Sequence, residues 1–310
     1  MILTVTLNAS VDKLYEVERL VPQTVMRVRQ VRQTAGGKGL NVARIAALAG
    51  QEVTAMGFVG GHNGSLLESL ITERAITKAF THVGAPTRCC VNVWDETAGR
   101  STEFLEPGSP VTQEDAAFFV KDYEEKLPLA DAVVLSGSLP PGLPDTYYSL
   151  LVELAKRQGK PVLADTSGAA LQSVMRTGPT FLKPNAEEVR QLLDVDTGSL
   201  AGSVVAAKQL HRAGIPVAAV SLGKQGVLVA CAGGVYHGIT PDIPVVNTVG
   251  CGDSMVAGFA VGLACGWDIA DTIHYAVSVS TANAMNRKTG YYEQADLDRV
   301  RPLVRVERLA

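Results

Sequence analysis

In the stretch Asn247-Thr-Val-Gly-Cys-Gly-Asp-Ser-Met-Val-Ala-Gly258, a turn with two glycines runs into an apolar helical pattern, and Asp253 stands at the junction. The first turn of a helix offers backbone N–H groups without intrahelical partners and the positive end of the helix dipole, which together suit an anion. Gly250 and Gly252 let a phosphate approach the backbone without a Cβ in the way. A carboxylate at that point could take a proton from an attacking hydroxyl while the N–H groups hold charge on a phosphoryl group. The chemistry that this pattern fits is phosphoryl transfer to an alcohol. An ordinary glycine turn with Asp253 as a first-turn helix residue fits it too.

A second glycine cluster, Ala35-Gly-Gly-Lys-Gly-Leu-Asn41, opens the helical run Val42–Leu48. It is not a dinucleotide fingerprint, because Val42 occupies the third glycine position. Nor is there a Walker A loop: Gly37-Lys38 would need a glycine at Arg32, and Gly223-Lys224 one at Ala218. The Asn41 amide both donates and accepts, as recognition of a polyol requires. Asp12 follows the first strand, in Asn8-Ala-Ser-Val-Asp12, and could accept from sugar hydroxyls or serve as a solvated turn residue. In Lys183-Pro-Asn185-Ala-Glu-Glu188, Asn185 and Glu188 share a helix face. They could hold a hydrated Mg²⁺, form a capping box, or do both. Ser221-Leu222-Gly223-Lys224-Gln225-Gly226 reads as a tight turn between strands that could meet nucleotide phosphates or be a plain hairpin. Arg88, and Arg27, Arg29 and Arg32, could recognise a phosphate already on the substrate.

Strand patterns at Ile2–Leu7, Val53–Phe58, Ala132–Ser136, Val162–Asp165, Thr180–Leu182 and Val217–Ser221 alternate with amphipathic stretches such as Thr112–Leu127. That alternation predicts an α/β fold, a mainly parallel sheet between two helical layers. Two insertions interrupt it, at about 11–34 and 87–106. The second reads as a hairpin around Glu96–Gly99. Together they predict a small β-sheet lid beside the strand carboxyl ends, within a single domain spanning 1–310.

The bulk numbers are those of an ordinary globular protein with a large core. The 310 residues are 46% hydrophobic with a net charge of −3, so no basic surface points to nucleic acid or a membrane. Five scattered cysteines and five scattered histidines form neither a disulfide framework nor a zinc pattern. The N-terminus reads as a buried strand rather than a signal peptide. The longest apolar run, Met255–Cys265, is too short to span a bilayer. The expected location is cytoplasmic.

Taken together and in this order, the Gly-Gly-Lys-Gly-x-Asn segment and the Asn-Thr-x-Gly-x-Gly-Asp-Ser segment resemble those of the ribokinase-like (PfkB) sugar kinases. Asn8–Asp12, Arg88 and Lys183-Pro-Asn185 resemble the hexose-phosphate kinase branch, with Thr102–Gly108 closer to tagatose-6-phosphate kinases than to 1-phosphofructokinases. The resemblance implies ATP and Mg²⁺ as cofactors and a sugar phosphate as acceptor. It implies Asp253 as base, Gly250, Cys251 and Gly252 as anion hole, and Lys183, Asn185 and Ser221–Gly226 near ATP. Further implied roles are Asn283 flanking the adenine, Glu188 linked to magnesium, and Asp12, Gly37, Lys38, Asn41 and Arg88 as sugar-phosphate contacts. It also implies a homodimer through the lid. Ala9 departs from the family's proline, and Cys251 from its alanine. A thiol at a helix N-terminus is expected to be acidic and reactive. The alternatives are a kinase of an unphosphorylated sugar or nucleoside, and a non-catalytic sugar-phosphate sensor.

Overall fold

The computed structural model describes residues 1–309. The chain opens with β1 (Ile2–Thr6), buried along its whole length, then gives β2 (Ser10–Val17) and β3 (Gln30–Gly36). Next come α1 (Lys38–Leu48), β4 (Val53–Val59), α2 (Gly61–Leu70), β5 (Ile76–Lys78) and β6 (Thr81–His82). The hairpin β7 (Arg88–Asp95) and β8 (Arg100–Leu105) precedes α3 (Gln113–Lys126). The alternation then continues through β9 (Ala132–Ser136), α4 (Tyr147–Arg157), β10 (Val162–Asp165), α5 (Gly168–Thr177) and β11 (Phe181–Leu182). It is followed by α6 (Ala186–Leu193), α7 (Leu200–Arg212), β12 (Val217–Ser221), β13 (Val227–Cys231) and β14 (Gly234–Ile239). Last come α8 (Cys251–Ala264), α9 (Ile269–Ala284), α10 (Gln294–Val300) and β15 (Arg305–Arg308).

The main sheet runs β15-β14-β13-β12-β11-β10-β9-β1-β4-β5, with β6 also on β4. From β12 to β5 every pairing is parallel; β13, β14 and β15 add an antiparallel edge. The central strands are apolar on both faces, as a sheet covered by helices on both sides requires. One core layer includes Ile45, Phe181, Phe259 and Val277 beneath α1, α8 and α9; the other includes Phe119, Tyr148, Leu171 and Leu210 beneath α3, α4, α5 and α7. The expected α/β/α layering is met. The antiparallel strands β14 and β15 carried no clear alternation in the sequence. Among the described residues, no helix is long and apolar enough to cross a membrane.

The two insertions form a separate four-stranded sheet in the order β3-β2-β7-β8. Its register sets Asp12 opposite Thr34 and Cys90, and Leu14 opposite Arg32 and Asn92. With a side-chain period of two, one face therefore carries Asp12, Arg32, Asn92 and Glu103.

Helix α8 is buried through most of its length and packs against α9 through small residues. A Cβ on Gly258 would overlap the Ala276 backbone, and one on Gly262 would overlap Thr272. Gly258→Val is therefore expected to force the helices apart and cost roughly 1–3 kcal/mol. It should also lower turnover, because α8 begins at the candidate site. Thermal unfolding and activity of the variant check this.

Candidate active site

Parallel strands all end at one edge of the sheet, and ligands of open α/β sheets gather there. The loop after β1, the ends of β9, β10, β11 and β12, and the starts of α1 and α8 meet at this edge. The N-cap of α8 is Gly250 at φ 81°, a left-handed conformation that a glycine adopts without strain. The Cys251 N–H donates to Thr248 O at 3.3 Å, and the Ser254 N–H closes the first turn onto Gly250 O at 2.8 Å. The N–H groups of Gly252 and Asp253 lie between them, where no intrahelical carbonyl is available. The strongest anion donors are therefore Gly252 and Asp253, with Cys251 partly engaged. A Cβ on Gly252 would lie 3.6 Å from Lys183 Nζ, so this lysine faces the same space.

Asp253 is 7% exposed, and its Oδ2 accepts from Asn41 Nδ2 at 2.8 Å. Burial raises its carboxyl pKa to about 6; Asp165 adds to the rise, while Lys38, the Asn41 hydrogen bond and Lys183 oppose it. In the sequence, Asp165 is marked only as the last residue of a strand. It is 2% exposed, and its Oδ1 lies 3.6 Å from Lys38 Nζ and 3.5 Å from Lys183 Nζ. The signal was available: a carboxylate ending a buried parallel strand needs cations around it. Two lysines are thus held by one buried anion and face the Asp253 end of the site. Asp165 in turn raises the Lys38 pKa against the effect of burial.

Asp12 is held by Ser10, whose Oγ donates to its Oδ1 at 2.6 Å, and burial pushes its carboxyl up. Any Cβ on Gly36 would collide with that carboxylate, so Gly36 is required where the chain folds back over Asp12. Gly37 is the N-cap of α1, which sets Lys38 and Asn41 in its first turns. Arg88 begins β7; its Nε donates to Asn8 O at 3.1 Å and its Nη1 to Glu106 O at 2.7 Å. A cleft of about 120 Å³ separates the Asp12 face of the small sheet from the loops around Val249 and Lys288.

At the opposite end, Lys183 is 5% exposed. Asn185 and Glu188 form the capping box in full: Asn185 Oδ1 accepts from Glu188 N–H, and Glu188 Oε2 from Asn185 N–H, each at 2.8 Å. Asn185 bridges to Ser221, and the Ser221 N–H donates to Pro184 O at 3.2 Å. The turn Leu222–Gly226, with Lys224 and Gln225 exposed, closes by a Leu222 N–H to Gly226 O bond of 2.8 Å between β12 and β13. It therefore lies beside Asn185 and Glu188.

The Asn283 side chain is 0% exposed, donates to Val249 O at 3.1 Å and accepts from the Tyr291 N–H at 3.2 Å. It braces the turn before α8. Cys251 is not an acidic thiol, because burial pushes its pKa up and outweighs the lowering by the Asn283 hydrogen bond. Arg29 is engaged by Glu96 at 2.6 Å and Glu18 at 2.7 Å, whereas Arg32 lines the cleft, pairing with Glu16 at 3.3 Å through Nη2 while its buried Nε has no partner.

The sequence profile of the pfkB family carbohydrate kinases matches residues 5–295. The chain belongs to this family. The kinase superposes on Escherichia coli phosphofructokinase-2 in complex with fructose-6-phosphate with a TM-score of 0.88 and 26% identity, over 97% of this chain and 98% of that one. A Thermotoga maritima protein described as a possible 1-phosphofructokinase gives a TM-score of 0.90 and 28% identity over 100% of both chains. Arabidopsis thaliana ribokinase complexed with ribose and ATP, at 20% identity and a TM-score of 0.75 over 97% of this chain and 98% of that one, shares the fold. The kinase is thus a sugar kinase, a phosphotransferase with an alcohol acceptor and ATP as its phosphoryl donor.

The raised pKa of the half-buried Cys251 thiol gives a direct test. In the native kinase near pH 7.5, a thiol reagent should modify exposed Cys265 well before half-buried Cys251, whose thiol pKa is raised. Peptide mapping of a labelling time course reads the order, and rapid native labelling of Cys251 would contradict it.

Proposed function

We propose that this kinase transfers the γ-phosphoryl group of ATP to a hydroxyl of a ketohexose monophosphate, giving the bisphosphate, with Asp253 as general base. The observation that carries the reading is the buried Asp253 carboxylate. Asn41 orients it through Oδ2, which leaves Oδ1 for the acceptor's proton. With a pKa of about 6 it is ionised at neutral pH yet more basic than a solvated aspartate.

The sugar fits over Asp12, Gly37, Lys38 and Asn41, with its phosphate toward Arg88. The nucleotide phosphates fit between Lys183 and the Ser221–Gly226 turn. The acceptor hydroxyl loses its proton to Asp253, and its oxygen forms the new bond to phosphorus as the bond to ADP breaks. The N–H groups of Gly252 and Asp253 and the Lys183 ammonium hold the charge on the transferring group. Residues fit for Mg²⁺ are few and water-facing, as suits an ion that keeps most of its hydration shell. Glu188 has a second carboxylate oxygen beyond the one used in the cap, and with Asn185 would hold the ion, which would neutralise phosphate charge there. The small sheet acts as a lid that excludes water. On the face opposite Asp12 the sheet exposes Val31 and Phe104, an apolar pair suited to contact with a second copy of the chain. The competing reading, a kinase of an unphosphorylated sugar, draws support from Arg88, whose Nε and Nη1 already serve backbone carbonyls.

Asp253→Asn is expected to lower kcat roughly 10²–10⁴-fold. A raised carboxyl pKa means the fold favours the protonated form. Stability from this group is therefore present below about 4 and lost as pH rises through about 6. The neutral variant should then unfold at the same temperature as wild type or higher near pH 7.5. Wild-type turnover should itself decline below pH of about 6 as the base is protonated. Near-normal turnover in the variant would remove Asp253 from the mechanism.

A further inference from the structure

Arg44 lies one helical turn after Asn41 on α1, and its side chain is 12% exposed. Its Nε donates to Glu73 Oε1 at 3.2 Å and its Nη2 to Ala35 O at 2.8 Å. Its Nη1 donates to Asn41 Oδ1 at 3.2 Å and to Thr289 O at 3.3 Å. These partners come from separate places: the segment after α2, the root of the small sheet, the candidate site, and the turn after α9. An arginine carries donors only. The Asn41 atom that faces it must therefore be the amide oxygen, which leaves the amide nitrogen to face Asp253. The turn after α9 packs closely here, since a Cβ on Gly290 would lie 2.9 Å from Asn41 Oδ1 and 3.0 Å from Arg44 Nη1.

We propose that Arg44 is a positioning residue for the reaction: it dictates which end of the Asn41 amide meets Asp253, and it ties that orientation to the root of the small sheet at Ala35 and to the turn at Thr289. The inference rests on the reading of Asp253 as the base. Without Arg44 the amide is free to turn its oxygen toward the carboxylate. Two acceptors would then face each other, and Asp253 would keep its proton to higher pH. The other groups around Asp253 are Lys38 on α1, Asp165 at the end of β10, Lys183 after β11 and Cys251 on its own helix; none of them bonds to Arg44. The acidic groups around Arg44 are Glu73 and Asp12.

The test is kcat/KM against pH from about 5 to 9, which reports ionisations of the free enzyme. Arg44→Met should move the acid limb up by about one unit, so that its deficit at low pH exceeds its deficit near pH 8.5 by about tenfold. Arg44→Lys keeps the charge but lacks the planar fork, so it should share the shift; it also stands in if Arg44→Met does not fold. In an Asn41→Ala background, replacing Arg44 should move the limb no further. A loss of equal size at every pH, or a return to the wild-type profile in Arg44→Lys, would overturn the proposal. A wild type with no limb near 6, together with an active Asp253→Asn, would instead overturn the base assignment, and this proposal with it.

Discussion

An ionised carboxylate at the buried start of α8 constrains everything around it. Taking a charge out of water is costly unless partners replace the lost solvation. Asp253 has such partners in limited supply: one amide hydrogen bond, two nearby lysines and the positive end of its helix. The balance leaves its pKa between that of a solvated carboxyl group and neutrality. A group so poised can be ionised in the resting enzyme and still accept a proton readily.

The partners of Asp253 need support of their own. Lys183 would not stay at 5% exposure without a counter-charge, and Asp165 supplies it from the end of β10 while also reaching Lys38. Asn41 would be free to rotate without Arg44 on its oxygen side. The parallel sheet explains why these groups can meet, because β1, β10, β11 and β12 all end at the same edge. The apolar length of α8 anchors the carboxylate at that edge, and the close contact of Gly258 with Ala276 fixes where the helix starts. Core packing and site chemistry are thus one problem in this fold.

Much of this was readable from local pattern. Apolar β-branched runs separated by amphipathic stretches marked the parallel strands, and their ends singled out Asp12, Lys183 and Ser221. Glycines before apolar helices marked the two helix starts. The Asn185–Glu188 capping box followed from spacing alone and forms as expected. What was not readable depends on side chains meeting across the fold. Asp165 looked like a strand terminus until two lysines, 127 and 18 residues away in opposite directions, closed on it. Nothing in the local pattern of α1 marks Arg44. The inward bonds by which Asn283 braces the turn before α8 depend on how α9 packs. The acidity expected of Cys251 followed from its helix position, whereas burial, invisible in the sequence, decides the sign.

The most direct measurement is ADP release from MgATP by the purified protein. Its kcat/KM should be compared across fructose 1-phosphate, fructose 6-phosphate, tagatose 6-phosphate, free fructose and ribose, for wild type and Arg88→Ala. The expected result is a strong preference for one phosphorylated ketose, with Arg88→Ala raising its KM. Turnover confined to the free sugars, or no turnover on any of them despite saturable binding, would contradict it.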